Sequence, residues 1–407
     1  NNIISNAYYS VQADYQKLYQ NQQDAGFKDN IFDYAYNGKF TETHTPTYRT
    51  VETDSASGIK GTIRLFNSID NISYTRSELN PKLANYTSQF FNDYVDPYNI
   101  KLNSLTQIQA FNGLVNGDEP KFTYGLFYSP GATQYYYYKF NSDQYALDVN
   151  ASFDLLAGKT RHAIQFGLYY QQRIEKSFQV LTTPGASGTS SLWNLMRGLV
   201  GSIDNGNLKY DKTHPNFIVN GKTYTLADVQ AGKAIPGPND TIFYDYVNIT
   251  PDKVFDNNLR KKLGLKSNDD INIDALDPST FSLDMFSADE LLNSGRSFVS
   301  YQGYGYTGAA QTGSVNFNDF WTRKDDNGNY TRPIGAFSPN YIAGYLLDNF
   351  NYKDVHFNVG VRVERYSANT KVLIDPYSEY GEKTVNQVSG ANNVVNGGQH
   401  PANIGGN

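Results

Sequence analysis

The residues that could do chemistry are few and scattered. The five histidines are His44, His162, His214, His356 and His400, with no close pair at metal-ligand spacing. Cysteine is absent, so a thiolate metal site and a disulfide framework are both unavailable. No Ser-centred nucleophile elbow, HExxH helix, phosphate loop or dinucleotide fingerprint occurs. Scattered Asp and Glu residues can always be paired on paper, so they are no evidence of hydrolysis. The acidic run of Asp269, Asp270, Asn272 and Asp274 offers oxygen ligands of the kind calcium takes, with a solvated loop as the plainer reading. Asp325–Gly328 fails the calcium-loop pattern, because Arg323 would occupy the first ligand position. No catalytic residue, resident metal or cofactor is therefore expected, and the chain is not read as an enzyme.

Aromatic chemistry is the unusual feature. The 407 residues include 34 Tyr and 24 Phe against 2 Trp. Tyrosine suits both strands and membrane interfaces. In YQGYGYTG, glycines carry Tyr301, Tyr304 and Tyr306 on flexible backbone, which makes these three the loop residues to contact a ligand or partner, or to pack one loop on another. The run from Tyr135 to Phe140 favours a strand that supplies an interfacial aromatic girdle. A formal net charge of -6 gives no support for a nucleic-acid partner. No stretch approaches 18 consecutive apolar residues, so no transmembrane helix is expected. A mean hydropathy of -0.56 remains compatible with a membrane barrel, whose apolar band occupies alternate residues.

The elements that position these groups are strands. From Tyr145, residues Leu147, Val149, Ala151, Phe153 and Leu155 share one face, and Asp148, Asn150 and Asp154 share the other. After a turn at Ala157–Lys159, Ile164, Phe166, Leu168 and Tyr170 oppose Gln165, Gly167, Tyr169, Gln171 and Arg173. A second hairpin runs from Asn340 to Tyr366 with its turn at Asn351–Asp354. Its return arm puts Val355, Phe357, Val359, Val361 and Val363 opposite His356, Asn358, Gly360, Arg362 and Glu364. Its first arm places Ala343, Tyr345 and Leu347 together, but Ile342 and Leu346 blur the alternation. Arms of roughly 10 residues suit a tilted strand crossing a bilayer. Asp148, Asn150, Asp154, Gln165, Arg173, Asn358, Arg362 and Glu364 are accordingly the candidates to face a wet lumen as pore-wall or plug-contact groups. Plain solvation of the inner face is the rival.

The connections fit the same scheme: short turns at 157–159 and 351–354, and long polar segments at the other strand ends. Further strands are expected over Tyr8–Leu18 and Lys60–Leu65, with weaker signals at Leu102–Phe111 and Phe122–Phe127. Leu192–Leu199 and Ala288–Leu292 read as small helices, the latter capped by Ser287. The organisation expected is barrel strands and loops over 1–176, a long outer loop region with short strands over 177–339, a barrel hairpin over 340–366, and another outer loop over 367–407. The fold class expected is all-β, a section of an antiparallel transmembrane β-barrel with long extracellular loops.

SYTRSELNPKLANYTSQFFN (Ser73–Asn92) and RPIGAFSPNYIAGYLLDNFNYKDVHFNVGVRVERYSANTKVLIDPY (Arg332–Tyr377) carry a resemblance. With the strand patterns, they resemble the barrel region of TonB-dependent outer-membrane receptors from Bacteroidetes. The resemblance implies a barrel of about 22 strands in the outer membrane of a Gram-negative bacterium, of which roughly 8–10 are visible here. It also implies an N-terminal plug, a TonB box, and import of a scarce nutrient driven by the inner-membrane TonB–ExbB–ExbD complex. The expected partners are outer-membrane lipid, periplasmic TonB reached through a segment outside this sequence, an unnamed nutrient, and an outer-membrane protein that completes the barrel. Neither terminus reads as a natural domain end, so the chain is expected to be part of a longer protein. Two other readings stay open: a structural or adhesive outer-membrane protein within a larger surface or secretion complex, and a soluble secreted β-rich carbohydrate-binding protein.

Overall fold

A computed structural model describes residues 3–45, 47–53, 60–65, 68–120, 136–181, 191–201, 211, 213–237, 240–244, 251–267, 269–372, 394–395 and 398–399. The expected strand at 122–127 and the tyrosine at 135 lie outside the described residues. The protein is mostly β, with 41% strand in antiparallel sheets, but it also holds 22% helix, more than the two small helices expected. The described strands close no barrel, and no described helix is long and apolar enough to cross a membrane.

The strands are β1 (Ile4–Gln22), β2 (Gly38–His44), β3 (Thr47–Thr53), β4 (Lys60–Leu65), β5 (Ile69–Arg76), β6 (Tyr136–Ala157), β7 (Thr160–Leu181), β8 (Asn216–Val219), β9 (Lys222–Thr225), β10 (Thr241–Phe243), β11 (Val299–Gln302), β12 (Asn340–Tyr352), β13 (Val355–Ser367), β14 (Val394–Val395) and β15 (Gly398–Gln399). The helices are α1 (Pro81–Phe90), α2 (Asp96–Tyr98), α3 (Leu105–Ala110), α4 (Leu192–Leu199), α5 (Leu226–Gln230), α6 (Val254–Leu263), α7 (Ala288–Leu292) and α8 (Asp319–Thr322). The main sheet has the order β1-β6-β7-β12-β13, with β11 also paired to β7. Smaller sheets are β2-β5, β3-β4, β10-β8-β9 and β14-β15.

The chain forms two compact units, and their boundaries differ from the expected ones. Unit 1 comprises 1–14, 145–173 and 337–407; unit 2 comprises 15–144 and 174–336. The division cuts through β1, β6 and β7, because each of these long strands contributes one end to each unit. The segment 177–339, expected as a long outer loop region with short strands, supplies described residues to the buried core of unit 2.

Unit 1 is a sheet of hairpins. The β6–β7 turn is Gly158–Lys159, and glycine meets its φ of +66° without a Cβ penalty. The β12–β13 turn is Lys353–Asp354, tighter than expected, because pairing runs to Tyr352 opposite Val355. On one face the register stacks Phe166, Leu346 and Val361 in a row, and Leu168, Gly344 and Val363 in the next. The blurred first arm is thereby resolved: Ile342 and Leu346 join this apolar face, and Ala343, Tyr345 and Leu347 join the polar one.

Unit 2 is organised around a buried core. Phe178 and Val180 of β7, Val299 and Tyr301 of β11, Trp193 and Met196 of α4, Phe255 and Leu259 of α6, and Phe286 and Leu291 meet there. Helix α4 forms because Leu192, Trp193, Met196 and Leu199 recur on one face. The Ser191 hydroxyl caps it by accepting from the Asn194 N–H. Helix α7 starts in a reciprocal capping box between Ser287 and Glu290. A second core packs Phe40 and Ile72 of the β2-β5 pair against Phe90, Phe91, Val95 and Ile108. Here the weak strand signal over Leu102–Phe111 gives way to helix α3, because Ile108, three residues after Leu105, is fully buried on a helical face.

Candidate functional site

The polar face of unit 1 gathers every residue the sequence singled out for it. Register and alternation put Asp148, Asn150, Asp154, Gln165, Arg173, Asn358, Arg362 and Glu364 on the same side of the sheet. Most of the charge on it is already engaged within it. Asp154 accepts from Asn6 Nδ2 at 2.6 Å and pairs with Arg161. Asn150 donates to Asp148 Oδ1 at 2.5 Å and accepts from the Tyr345 hydroxyl at 2.9 Å. Arg362 pairs with Glu364 and donates to the Tyr341 hydroxyl at 3.2 Å. The Tyr169 hydroxyl donates to Gln171 at 2.8 Å, and its ring meets Tyr341 edge-on at 5.8 Å.

These contacts need a glycine beside them. Tyr345 lies across β7 to reach Asn150 on β6, and it passes over Gly167. A Cβ at Gly167 would stand 2.4 Å from Asn150 Oδ1 and 2.5 Å from the Tyr345 ring. Sequence reasoning placed Gly167 and Tyr169 on this face but missed the role of Tyr341 and Tyr345. The signal for them was register, since both alternate in step with Asn349 and Asn351 along β12.

The opposite face is apolar and uncovered. Leu168 is 62% exposed, Val361 60% and Val363 68%. Phe153 and Phe166 meet edge-on at 6.5 Å on it, and Phe350 stacks on Phe357 at 5.1 Å near the turn. Polar residues interrupt the face: His162 Nδ1 lies 2.7 Å from Asp348 Oδ2, with Asp348 between Ile164 and Val359, and Gln172, Asn340 and Arg365 stand at its other end. A contiguous apolar face of this kind has to be covered by lipid or protein.

The other sequence candidates have structural duties in unit 2. Tyr301 and Tyr304 are buried in the core rather than presented on a loop. The Tyr301 hydroxyl donates to Arg332 O at 2.8 Å, and burial pushes its phenol up. Tyr304 packs against Phe178 and accepts from Asn141 Nδ2. Tyr306 is half-buried against the same core, and burial raises it too. The glycines that suggested a mobile loop instead allow close packing, as at Gly308, where φ is +80° and a Cβ would meet the Phe178 ring at 2.7 Å.

The acidic run is likewise divided among separate tasks. Buried Asp274 holds Arg197 through two hydrogen bonds of 2.6 Å, and Asn116 donates to it at 3.0 Å. Asp269 accepts from the Lys266 N–H at 2.7 Å, Asn272 donates to Phe40 O at 2.7 Å, and Asp270 faces His44. Among the described residues, no group of three His, Asp or Glu side chains is arranged to hold a metal ion.

Arg197 links these parts into a hub that the sequence did not reveal. Its guanidinium also donates to Asn116 O at 2.7 Å and Asn194 Oδ1 at 2.6 Å. Asn116 in turn accepts from the Asn37 N–H at 2.8 Å and donates to Gly38 O at 2.9 Å. The hub therefore joins α4 to the start of β2. No protein-family model, curated protein or solved structure matches this chain.

Proposed function

We propose that unit 1 is a wall section of an outer-membrane β-barrel, and that the protein of which it is part imports a nutrient through an energy-coupled, ligand-gated path. The observation that carries the reading is the two-faced sheet. Its apolar side is exposed on strands β12 and β13, each 13 residues long. A tilted strand needs roughly 9–11 residues to cross a bilayer. The apolar face meets lipid, and the polar face lines the lumen. The turns at Gly158–Lys159 and Lys353–Asp354 face the periplasm, and the long connections begin and end outside, as in barrels with short inner turns. The import role rests on the resemblance of Ser73–Asn92 and Arg332–Tyr377 to TonB-dependent receptors. Gating belongs to a plug and TonB box supplied by sequence outside this chain. The mechanism moves a ligand and transfers no covalent bond.

The closed side-chain networks on the polar face favour a second reading, a structural outer-membrane wall whose lining is satisfied without a ligand. Uptake separates the two. Import predicts that nutrient uptake by cells carrying the full gene stops when the proton gradient is dissipated, and a structural wall predicts no uptake to lose. The exposed apolar face argues against a soluble secreted sheet.

The sheet assignment has its own test, made clean by the absence of native cysteine. Single cysteines at Leu168 and Val361 are expected to resist a water-soluble maleimide in membranes and to react in urea. Cysteines at Gln165 and Asn358 are expected to react in membranes. Equal labelling at all four positions would overturn the membrane assignment.

A further inference from the structure

Unit 2 contains a cavity of about 500 Å³ that the import reading does not use. Its volume falls within the roughly 300–1,000 Å³ typical of small-molecule sites. Phe32 and Phe281 pack together on one part of its lining at 5.8 Å, and Tyr137 and Phe178 on another at 6.1 Å. Three charged side chains also line it: Asp29, Asp33 and Lys139.

These charges do not cancel. The Tyr137 hydroxyl donates to Asp29, and Lys139 Nζ lies 3.3 Å from the same carboxylate. Lys139 also sits 5.1 Å from the Tyr137 ring centre. Asp29, Tyr137 and Lys139 thus form a closed, neutral set. Asp33 is left over. It is half-buried, the Asn30 side chain donates to it, and loss of water raises its carboxyl above its ordinary value. An uncompensated carboxylate beside aromatic rings favours a cation, which gains from both the charge and the ring faces.

We propose that this cavity binds a small organic monocation with an apolar body, an aryl- or alkylammonium, with the ammonium on Asp33 and the body against the Phe32 and Phe281 rings. A neutral molecule of the same shape would leave the charge of Asp33 unbalanced. An anion would meet it as a like charge. Ser279, Ser282 and Thr307 at the lining supply hydroxyls that can accept hydrogen bonds from the remaining ammonium N–H groups. The inference concerns unit 2 alone and holds whether or not the whole protein imports a nutrient.

The test is calorimetric titration of the full chain in detergent with three probes: phenethylammonium, 2-phenylethanol and 3-phenylpropionate. The expected result is saturable binding of the cation, about tenfold or more over the alcohol, with the anion weakest. Asp33→Asn, checked for an unchanged far-UV spectrum, should abolish the preference for the cation over the alcohol. Lys139→Met should shift binding the other way: it frees Asp29 and should strengthen cation binding several-fold. The proposal is overturned if the alcohol binds as well as the cation, if no probe saturates in the millimolar range, or if Asp33→Asn keeps the preference.

Discussion

The two units place the same kinds of residue on opposite sides of the same physical problem. In unit 2, Phe255, Phe286 and Trp193 are almost wholly buried, and buried polar groups join networks such as Arg197–Asp274–Asn116. In unit 1, Leu168, Val361 and Val363 are exposed, and the polar side chains bond one another across the opposite face. Unit 2 carries its own solvent-excluded core. Among the described residues, unit 1 has one apolar and one polar face and contributes nothing to the buried clusters. The lesson is that alternation alone assigns a face, and the environment of that face decides what it is for.

The contrast is testable from its strongest contact downward. Phe255 is fully buried and stacks on Phe286 at 4.3 Å. Phe255→Ala should therefore cost unit 2 about 3–5 kcal/mol, read by denaturant midpoint or limited proteolysis. Unchanged resistance would mean that the unit does not rest on this core. In unit 1 the informative change adds charge rather than removing volume. Val361→Arg, on the apolar face, should cost about 2–4 kcal/mol when the protein is refolded into bilayers, provided the site lies near the bilayer centre. The control is Arg362→Gln one residue along, which loses the Glu364 pair on the polar face and should cost under about 1 kcal/mol. If both changes cost the same in lipid, the two faces are not distinguished by lipid and the wall assignment fails.

Strong base should separate the units as well. Tyr74 and Tyr137, both in unit 2, have phenols pushed up to about 12 from an ordinary 10.0, mainly by loss of water around them. A raised pKa means that the folded state holds the proton more tightly than the unfolded one. The stability this supplies is complete below about pH 10 and is lost as pH rises through about 12. Phenolate absorbance should therefore rise together with loss of the near-UV signal of unit 2. Early ionisation of both phenols without unfolding would show that they are hydrated.

How much of this was legible depended on whether the signal was local. Leu192–Leu199 and Ala288–Leu292 are helices at the expected bounds, because a serine cap and an apolar stripe lie within one short segment. The strand over Lys60–Leu65 and the faces of β7 and β13 were readable from alternation of period two. The first arm of the second hairpin was not, since apolar residues stand on both of its faces. Leu347 can occupy the polar face because Gly360 lies directly opposite it, a fact that belongs to the partner strand. The hub at Arg197 was hidden for the same reason, since Asp274 lies 77 residues away in sequence. The loop tyrosines were ambiguous for a different reason. Glycines around Tyr301, Tyr304 and Tyr306 left ligand contact and loop packing both open, and only the fold shows these tyrosines packed on the core.

A small expected effect tests the most local of these signals. Ser287 accepts from the Glu290 N–H at 3.2 Å, and Glu290 returns the bond by accepting from the Ser287 N–H at 2.8 Å. Glu290 also accepts from the Phe255 N–H at 3.3 Å, so one carboxylate serves the starts of both α6 and α7. Ser287→Ala removes only the hydroxyl half of the box and should cost about 1 kcal/mol. Glu290→Ala removes acceptors from two helix starts and should cost more than Ser287→Ala. The double variant should cost less than the two single changes added together, because both act on the same cap. Strict additivity in a denaturant series would show that α7 does not depend on the reciprocal box, and that the match between sequence signal and helix start at Ser287 has another cause.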